Sequence, residues 1–380
     1  MKYIDEYRDP SLSDRLVRQI RAISTRPWVL MEVCGGQTHG LLRHGIDQQL
    51  EGAVELIHGP GCPVCVTSSE AIDAAIQIAR RPDTIVVSFG DMLRVPGSDQ
   101  SLLSARAGGA NVKIVYSPLD AIQLAVQQPD RQIVFFAVGF ETTMPATAVA
   151  VRQAQQLGLK NFSVLVAHVR VLPAMELLMR APGNRVQAFL AAGHVCTVTG
   201  FEEYEHFCSQ YSVPVVVAGF EPIDLLRGIL RCVELLEAGT IQTVNEYGRS
   251  VRRGGNPAAQ QLVDGVYQPA DQSWRGFGIV PSGGVQLKPE FQAFDVRQRF
   301  AEQMVQGGTF EQTDRGQSSP ISKDRCRAGD VLSGRLKPCD CPEYGQACTP
   351  EHPLGAPMVS SEGACAAYIR YRPLTVIAQE

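Results

Sequence analysis

No stretch of the chain is apolar for long enough to cross a bilayer. Its longest apolar runs, such as "IVFFAV" at 133–138, fall far short of the ~20 residues that a spanning helix needs. The opening "MKYIDEYRDPSLSDRL" has no apolar core of the kind that marks a secretion signal. A membrane partner is therefore set aside, and the cytoplasm is the expected compartment. Basic blocks are missing too. The 35 Lys and Arg residues stand against 39 Asp and Glu, a net charge of −4, which argues against nucleic acid as the main partner. Charge is sparse, at 19% of residues against 44% hydrophobic, and this excludes a disordered chain. The 380 residues are enough for two or three globular domains.

Cysteine, by contrast, is plentiful. Of the 11, three fall early (Cys34, Cys62, Cys65), three in the middle (Cys196, Cys208, Cys232) and five late (Cys326, Cys339, Cys341, Cys348, Cys365). Without a secretion signal, stable structural disulfides are not expected. An odd count in a reducing compartment points to metal ligation or redox work. Buried packing is the reading for the middle three.

After a helical opening, "SDRLVRQIRAI", short β-rich runs alternate with amphipathic helical stretches. The runs lie at 28–33, 54–57, 84–89, 112–116, 132–138, 162–167, 188–192 and 213–218. Nearly continuous apolar strands between helices predict an α/β fold with parallel sheet covered on both faces. Two halves of four strands are expected. "YSPLDAIQLA" (116–125) and "GFEPIDLLRGI" (219–229) both read strand, Pro, aliphatic, Asp, helix, and "GFE" occurs at 139–141 and 219–221. The repeat is read as a weak internal duplication; chance likeness of strand-to-helix turns is the alternative. The expected boundaries are 27–130 and 131–235, with 1–26 and 236–380 forming a third, irregular unit. Within that unit, 311–324 reads as a polar connector.

Loops leaving the carboxyl ends of parallel strands line the site, and here they are rich. The first strand ends in "CGGQTH", the second in "HGPGCPVC" and the fifth in "GFETT". If the first two strands are neighbours, Cys34 and the Cys62/Cys65 pair open onto one cleft. The C-x-x-C precedes a helix start at which Thr67 and Glu70 have capping-box spacing. It is read as a redox pair, with half a zinc site as the alternative. Gly35 and Gly36 let the backbone beside Cys34 approach a bound group closely. His39 is either a proton acceptor near Cys34 or a satisfied capping histidine. Glu141 can orient or protonate a ligand, with Thr142 and Thr143 beside it, or a threonine there caps the helix. The late cysteines Cys326, Cys341, Cys348 and Cys365 stand as C-x14-C-x6-C-x16-C. Four thiolates hold either a [4Fe–4S] cluster or one zinc, and spacing alone does not choose.

In order along the chain, "CGGQTHG" (34–40), "HGPGCPVCV" (58–66), "GFETT" (139–143), "GHVCTVTG" (193–200), "GFEP" (219–222) and the four-cysteine spacing up to "SSEGACAAYIRY" resemble the HypD family of hydrogenase maturation factors. One departure is visible. The family pattern has a cysteine before "MVSSEGAC", where this chain has "LGAP"; that position is not a cluster ligand, and Cys339 is extra and unassigned. The resemblance implies two similar Rossmann-like domains plus an irregular C-terminal iron–sulfur domain. It implies a scaffold on which the Fe(CN)2(CO) group of [NiFe]-hydrogenases is built with a HypC-type chaperone, HypE supplying cyanide. Cys34 would be a ligand of that iron, Cys62 and Cys65 a redox-active pair, and Cys326, Cys341, Cys348 and Cys365 the ligands of a [4Fe–4S] cluster. Electrons are then expected to pass from cluster to thiol pair to the iron-bound ligands, or the cluster only sets the redox state of the pair. His39 and Glu141 would hydrogen-bond cyanide nitrogens or shuttle protons. The competing readings are an iron–sulfur-linked thiol–disulfide reductase and a structural zinc protein.

Overall fold

The computed structural model describes residue 2, residues 4–301 and residues 325–372. All eight apolar runs are strands: β1 Trp28–Glu32, β2 Val54–His58, β3 Thr84–Ser88, β4 Val112–Ile114, β5 Gln132–Gly139, β6 Phe162–His168, β7 Ala188–Ala192 and β8 Val215–Ala218. A ninth, short and only half-buried, is β9 Thr243–Asn245. They form two fully parallel sheets, one ordered β2-β1-β7-β8-β9 and the other β4-β3-β5-β6. Both faces of each are covered. Leu30, Leu190 and Val216 of the first sheet pack with Ile229 and Val233 on one side, while Met31, Phe189 and Val217 pack with Met175 and Phe207 on the other. This is why the strands read as unbroken apolar runs.

The two sheets repeat one topology, but not as consecutive halves. In each, a first strand lies centrally, the next goes outward on one side, and the third and fourth build the other side. The unit β3–β6 is inserted between β2 and β7 of the first, so a boundary at 130/131 cuts through the second sheet. A strand's composition reports its burial and not its partner, so chain order could not fix the pairing. The repeated Pro-x-Asp is turn chemistry. In the helices Pro118–Gln127 and Pro222–Glu237, Pro takes a first-turn position, and Asp120 and Asp224 close capping boxes with Ser117 and Glu221. These helices follow β4 and β8, which occupy different places in their sheets.

The proposed third unit is also redrawn. Helix Pro10–Ile23 buries Leu16, Val17 and Ile20 against the first sheet's core, not against the late cysteines. Asp9 caps it by accepting from the Leu12 N–H. Beyond residue 236, β9 completes the first sheet. An antiparallel hairpin, β10 Tyr267–Trp274 and β11 Gly278–Leu287, adds Tyr267, Val285 and Leu287 to a core of the second. Of the described residues beyond 236, the segment 325–372 is irregular throughout, made of short helices and turns. The connector at 311–324 lies outside the described residues. Among the described residues no helix is long and apolar enough to cross a membrane.

Candidate functional site

In each sheet the strand order reverses beside the central strand, and the crevice at the carboxyl ends there is the natural binding place. In the first sheet it lies between β1 and β7. The chain leaves β1 through Cys34 and leaves β7 through the helix Gly193–Thr199, which carries His194. The Cys34 Sγ lies 3.6 Å from His194 Nδ1. His194 packs its ring on Phe220, which follows β8.

Buried Glu32, the last residue of β1, organises this crevice. Its carboxylate accepts from the Cys34 N–H at 2.8 Å, from His58 Nδ1 at 2.9 Å and from the Thr38 hydroxyl. The Cys34 carbonyl starts the helix Gly35–Arg43, accepting from the N–H groups of Gln37 and Thr38. The thiol is nearly sealed, and burial pushes it far above its ordinary range. The Glu32 and Glu362 charges push the same way, against the N–H groups of Gln37 and Gly36. Burial also lowers His194 to about 4, so it is neutral at pH 7.

As expected from β1 and β2 being neighbours, the C-x-x-C loop lies against Cys34. The Gly35 N–H donates to the Gly61 carbonyl at 2.9 Å, and any side chain at Gly61 would overlap the Cys34 backbone. Cys62 and Cys65 are joined as a disulfide, both buried. Ser68, not Thr67, caps the following helix Ser69–Ala79, accepting from the Ala71 N–H; the Thr67 hydroxyl donates to Pro63. The predicted Thr67/Glu70 capping box does not form: the Pro63–Val66 turn takes up Thr67, and the residue three after the actual cap, Ser68, is Ala71.

Gly35 and Gly36 are used differently from the expectation of open room. A side chain at Gly35 would overlap Glu362, and one at Gly36 would press on Phe220. His39 turns to the C-terminal segment: Nδ1 pairs with the Ser361 carbonyl at 3.3 Å and Nε2 with the Tyr371 hydroxyl at 3.1 Å. The imidazole beside Cys34 is His194, which sequence reasoning did not single out. The signal was there in "GHVC", placed directly after a strand.

Glu141 occupies the matching place in the second sheet, at the end of β5. One carboxyl oxygen accepts from the Val171 N–H at 3.0 Å; the other is buried without a partner among the described residues. Burial raises this carboxyl to about 7. Cys196, on the same short helix as His194, has its thiol pushed up by burial first and by the Glu141 charge second. Phe140, Cys34, Val66 and Cys196 share one core, so the two crevices meet through it. Thr143 does not cap its helix through its side chain; its hydroxyl donates to the Phe140 carbonyl and lies 3.3 Å from His168 Nδ1. Thr142 stands partly buried at the same turn. Cys208 and Cys232 are buried in cores, as expected.

Cys326, Cys341, Cys348 and Cys365 line one cavity with apolar Val331, Leu354 and Met358. The Leu354 N–H donates to Cys348 Sγ at 3.4 Å. Among the described residues, no three acids, thiols or imidazoles converge on a single-ion site. Cys339 is exposed and stands in a separate cleft. The C-x-x-C turn packs on the turn Ala356–Met358, which forms part of the cavity wall. Cys34, the disulfide and the cavity thus lie in sequence through the molecule.

The chain is similar to known hydrogenase maturation factors. The chain is 44% identical to a hydrogenase maturation factor HypD of Escherichia coli (strain K12), over 98% of each chain. It is 42% identical to one of Rhodobacter capsulatus, again over 98% of each. A third, from Rhizobium leguminosarum bv. viciae, is 44% identical over 98% of this chain and 96% of its own. A family model described as "HypD: Hydrogenase formation hypA family" matches residues 11–372, and the chain belongs to the HypD family of hydrogenase maturation factors.

Proposed function

We propose that this protein is the scaffold on which an Fe(CN)2(CO) group is assembled for a [NiFe]-hydrogenase, together with a HypC-type chaperone and with HypE as cyanide donor. The observation that carries the reading is the Cys34 thiol at the switch point of the first sheet, 3.6 Å from a neutral imidazole. A soft thiolate suits low-spin iron that bears cyanide and carbon monoxide. Because the thiol is protonated at rest, the iron must displace a proton, and His194 Nδ1 lies 3.6 Å from the sulfur that loses it. Glu32 fixes the Cys34 backbone, so the sulfur is presented in one orientation. With its pKa raised to about 7, Glu141 is partly protonated at neutral pH, and in that form it can donate to an acceptor such as a cyanide nitrogen.

The four late thiols fit a [4Fe–4S] cluster better than one zinc. One zinc needs its ligands to converge on a point, and among the described residues no three acids, thiols or imidazoles do so, while all four cysteines line one cavity. Such a cluster, when bound, supplies or accepts one electron at a time. The Cys62–Cys65 pair takes up two electrons and two protons on reduction, and its place between Cys34 and the cavity suits a thiol couple that keeps the iron site reduced. The buried disulfide also favours a second reading, an iron–sulfur-linked thiol–disulfide reductase with Cys34 as attacking thiol.

Infrared spectroscopy of the protein purified anaerobically with its HypC-type partner separates the two. Cyanide and carbonyl stretching bands that depend on Cys34 are expected for the scaffold. An iron-loaded brown sample without those bands would move the assignment to the reductase.

A further inference from the structure

Tyr344 stands in the wall of the four-cysteine cavity. Its residue is 5% exposed, packed with Cys348 and Met358 and flanked by Cys365. The backbone is satisfied, its N–H donating to the Cys341 carbonyl at 3.0 Å. The hydroxyl is not: it is buried without a hydrogen-bond partner among the described residues. Leaving a buried hydroxyl unpaired costs about 1–3 kcal/mol, and a phenylalanine would fill the same space without that cost. The oxygen is therefore unexplained by packing and needs a partner that the apolar part of the wall does not offer.

We propose that the Tyr344 hydroxyl donates a hydrogen bond to a sulfur of the group held by Cys326, Cys341, Cys348 and Cys365, and so makes that group easier to reduce. The inference rests on the [4Fe–4S] reading given above. Reduction adds negative charge to the sulfurs, so an O–H donor stabilises the reduced form more than the oxidised form; hydrogen bonds to the sulfurs are among the levers that set cluster potentials. The Leu354 N–H already makes one such bond to Cys348. Tyr344 adds a second from another part of the wall, through a side chain that mutation can remove without disturbing the backbone. The ring also borders the cleft that holds Cys339, which offers the hydroxyl a different outlet.

The test is an EPR-monitored redox titration of the full-length protein, prepared anaerobically, as wild type, Tyr344→Phe and Cys339→Ser, with iron and acid-labile sulfide measured on each. Tyr344→Phe is expected to keep the iron and sulfide content of wild type and to titrate at a lower midpoint potential, while Cys339→Ser titrates with wild type. Coincident curves for Tyr344→Phe and wild type overturn the proposal, as does an equal shift in Cys339→Ser, which would assign the hydroxyl to the neighbouring cleft. Loss of the cluster from a folded Tyr344→Phe also overturns it, since the hydroxyl would then hold the group and not tune it. Wild type devoid of iron and sulfide sinks the cluster reading itself and this inference with it, a result distinct from an unshifted variant.

Discussion

Cys34 and the four-cysteine cavity present the same soft ligand in opposite settings. Cys34 follows a strand of a parallel sheet and packs in its core, and a buried carboxylate fixes its backbone. The cavity is walled by turns and short helices, with Tyr344, Cys348 and Met358 as its fully buried core. In the first region the protein makes the site; in the second, the cluster proposed above would make much of the fold. On that reading, residues around Cys34 decide what is bound and how, whereas the late cysteines decide whether 325–372 folds.

The largest expected effect tests that division directly. Cys365→Ala should abolish iron and sulfide binding and leave 325–372 open to limited proteolysis, because a metal group can supply on the order of 10 kcal/mol of folding energy to a small unit. Far-UV circular dichroism should keep the signal of the two sheets. Protease resistance unchanged from wild type would show that the turns stand unaided. Cys34→Ala should do the reverse. Cluster colour stays and the cyanide and carbonyl bands vanish, at a stability cost of roughly 1 kcal/mol for one small buried atom; loss of both signals would mean that the ligand sets are misassigned.

Glu32→Ala sharpens the first side of the comparison. It strands three buried donors, and a loss of about 3 kcal/mol is expected in chemical denaturation. A midpoint within error of wild type would remove Glu32 from its organising role. The smallest effect concerns pH. Burial lowers His168 and His194 to about 4 from 6.5, so between those values the unfolded chain binds more protons and stability falls as pH drops from 6.5 towards 4. Glu141, raised from 4.5 to about 7, acts with the opposite sign: the unfolded carboxyl ionises first, and stability falls as pH rises across that window. Glu141→Gln should lift the second slope and leave the first. Identical pH profiles for Glu141→Gln and wild type would show that this carboxyl titrates normally.

Much of this was legible in the residues. Unbroken apolar runs between amphipathic stretches marked all eight expected strands, because burial on both faces leaves a composition that chain order preserves. Cys34, Cys62 and Cys65 could be assigned to strand ends for the same reason, and the capping boxes of the Pro-x-Asp turns are local chemistry. The nested arrangement of the sheets was not legible. β1 finds β7 across more than a hundred and fifty residues, and nothing in either strand's composition names the other. That pairing brings His194 to Cys34. The sequence by itself determined which groups are chemically able: the thiols, the acid at the strand end, the glycines that admit close backbone contact. The tertiary structure decided which of them meet, since proximity depends on which strands share hydrogen bonds, and a backbone amide carries no label of its partner.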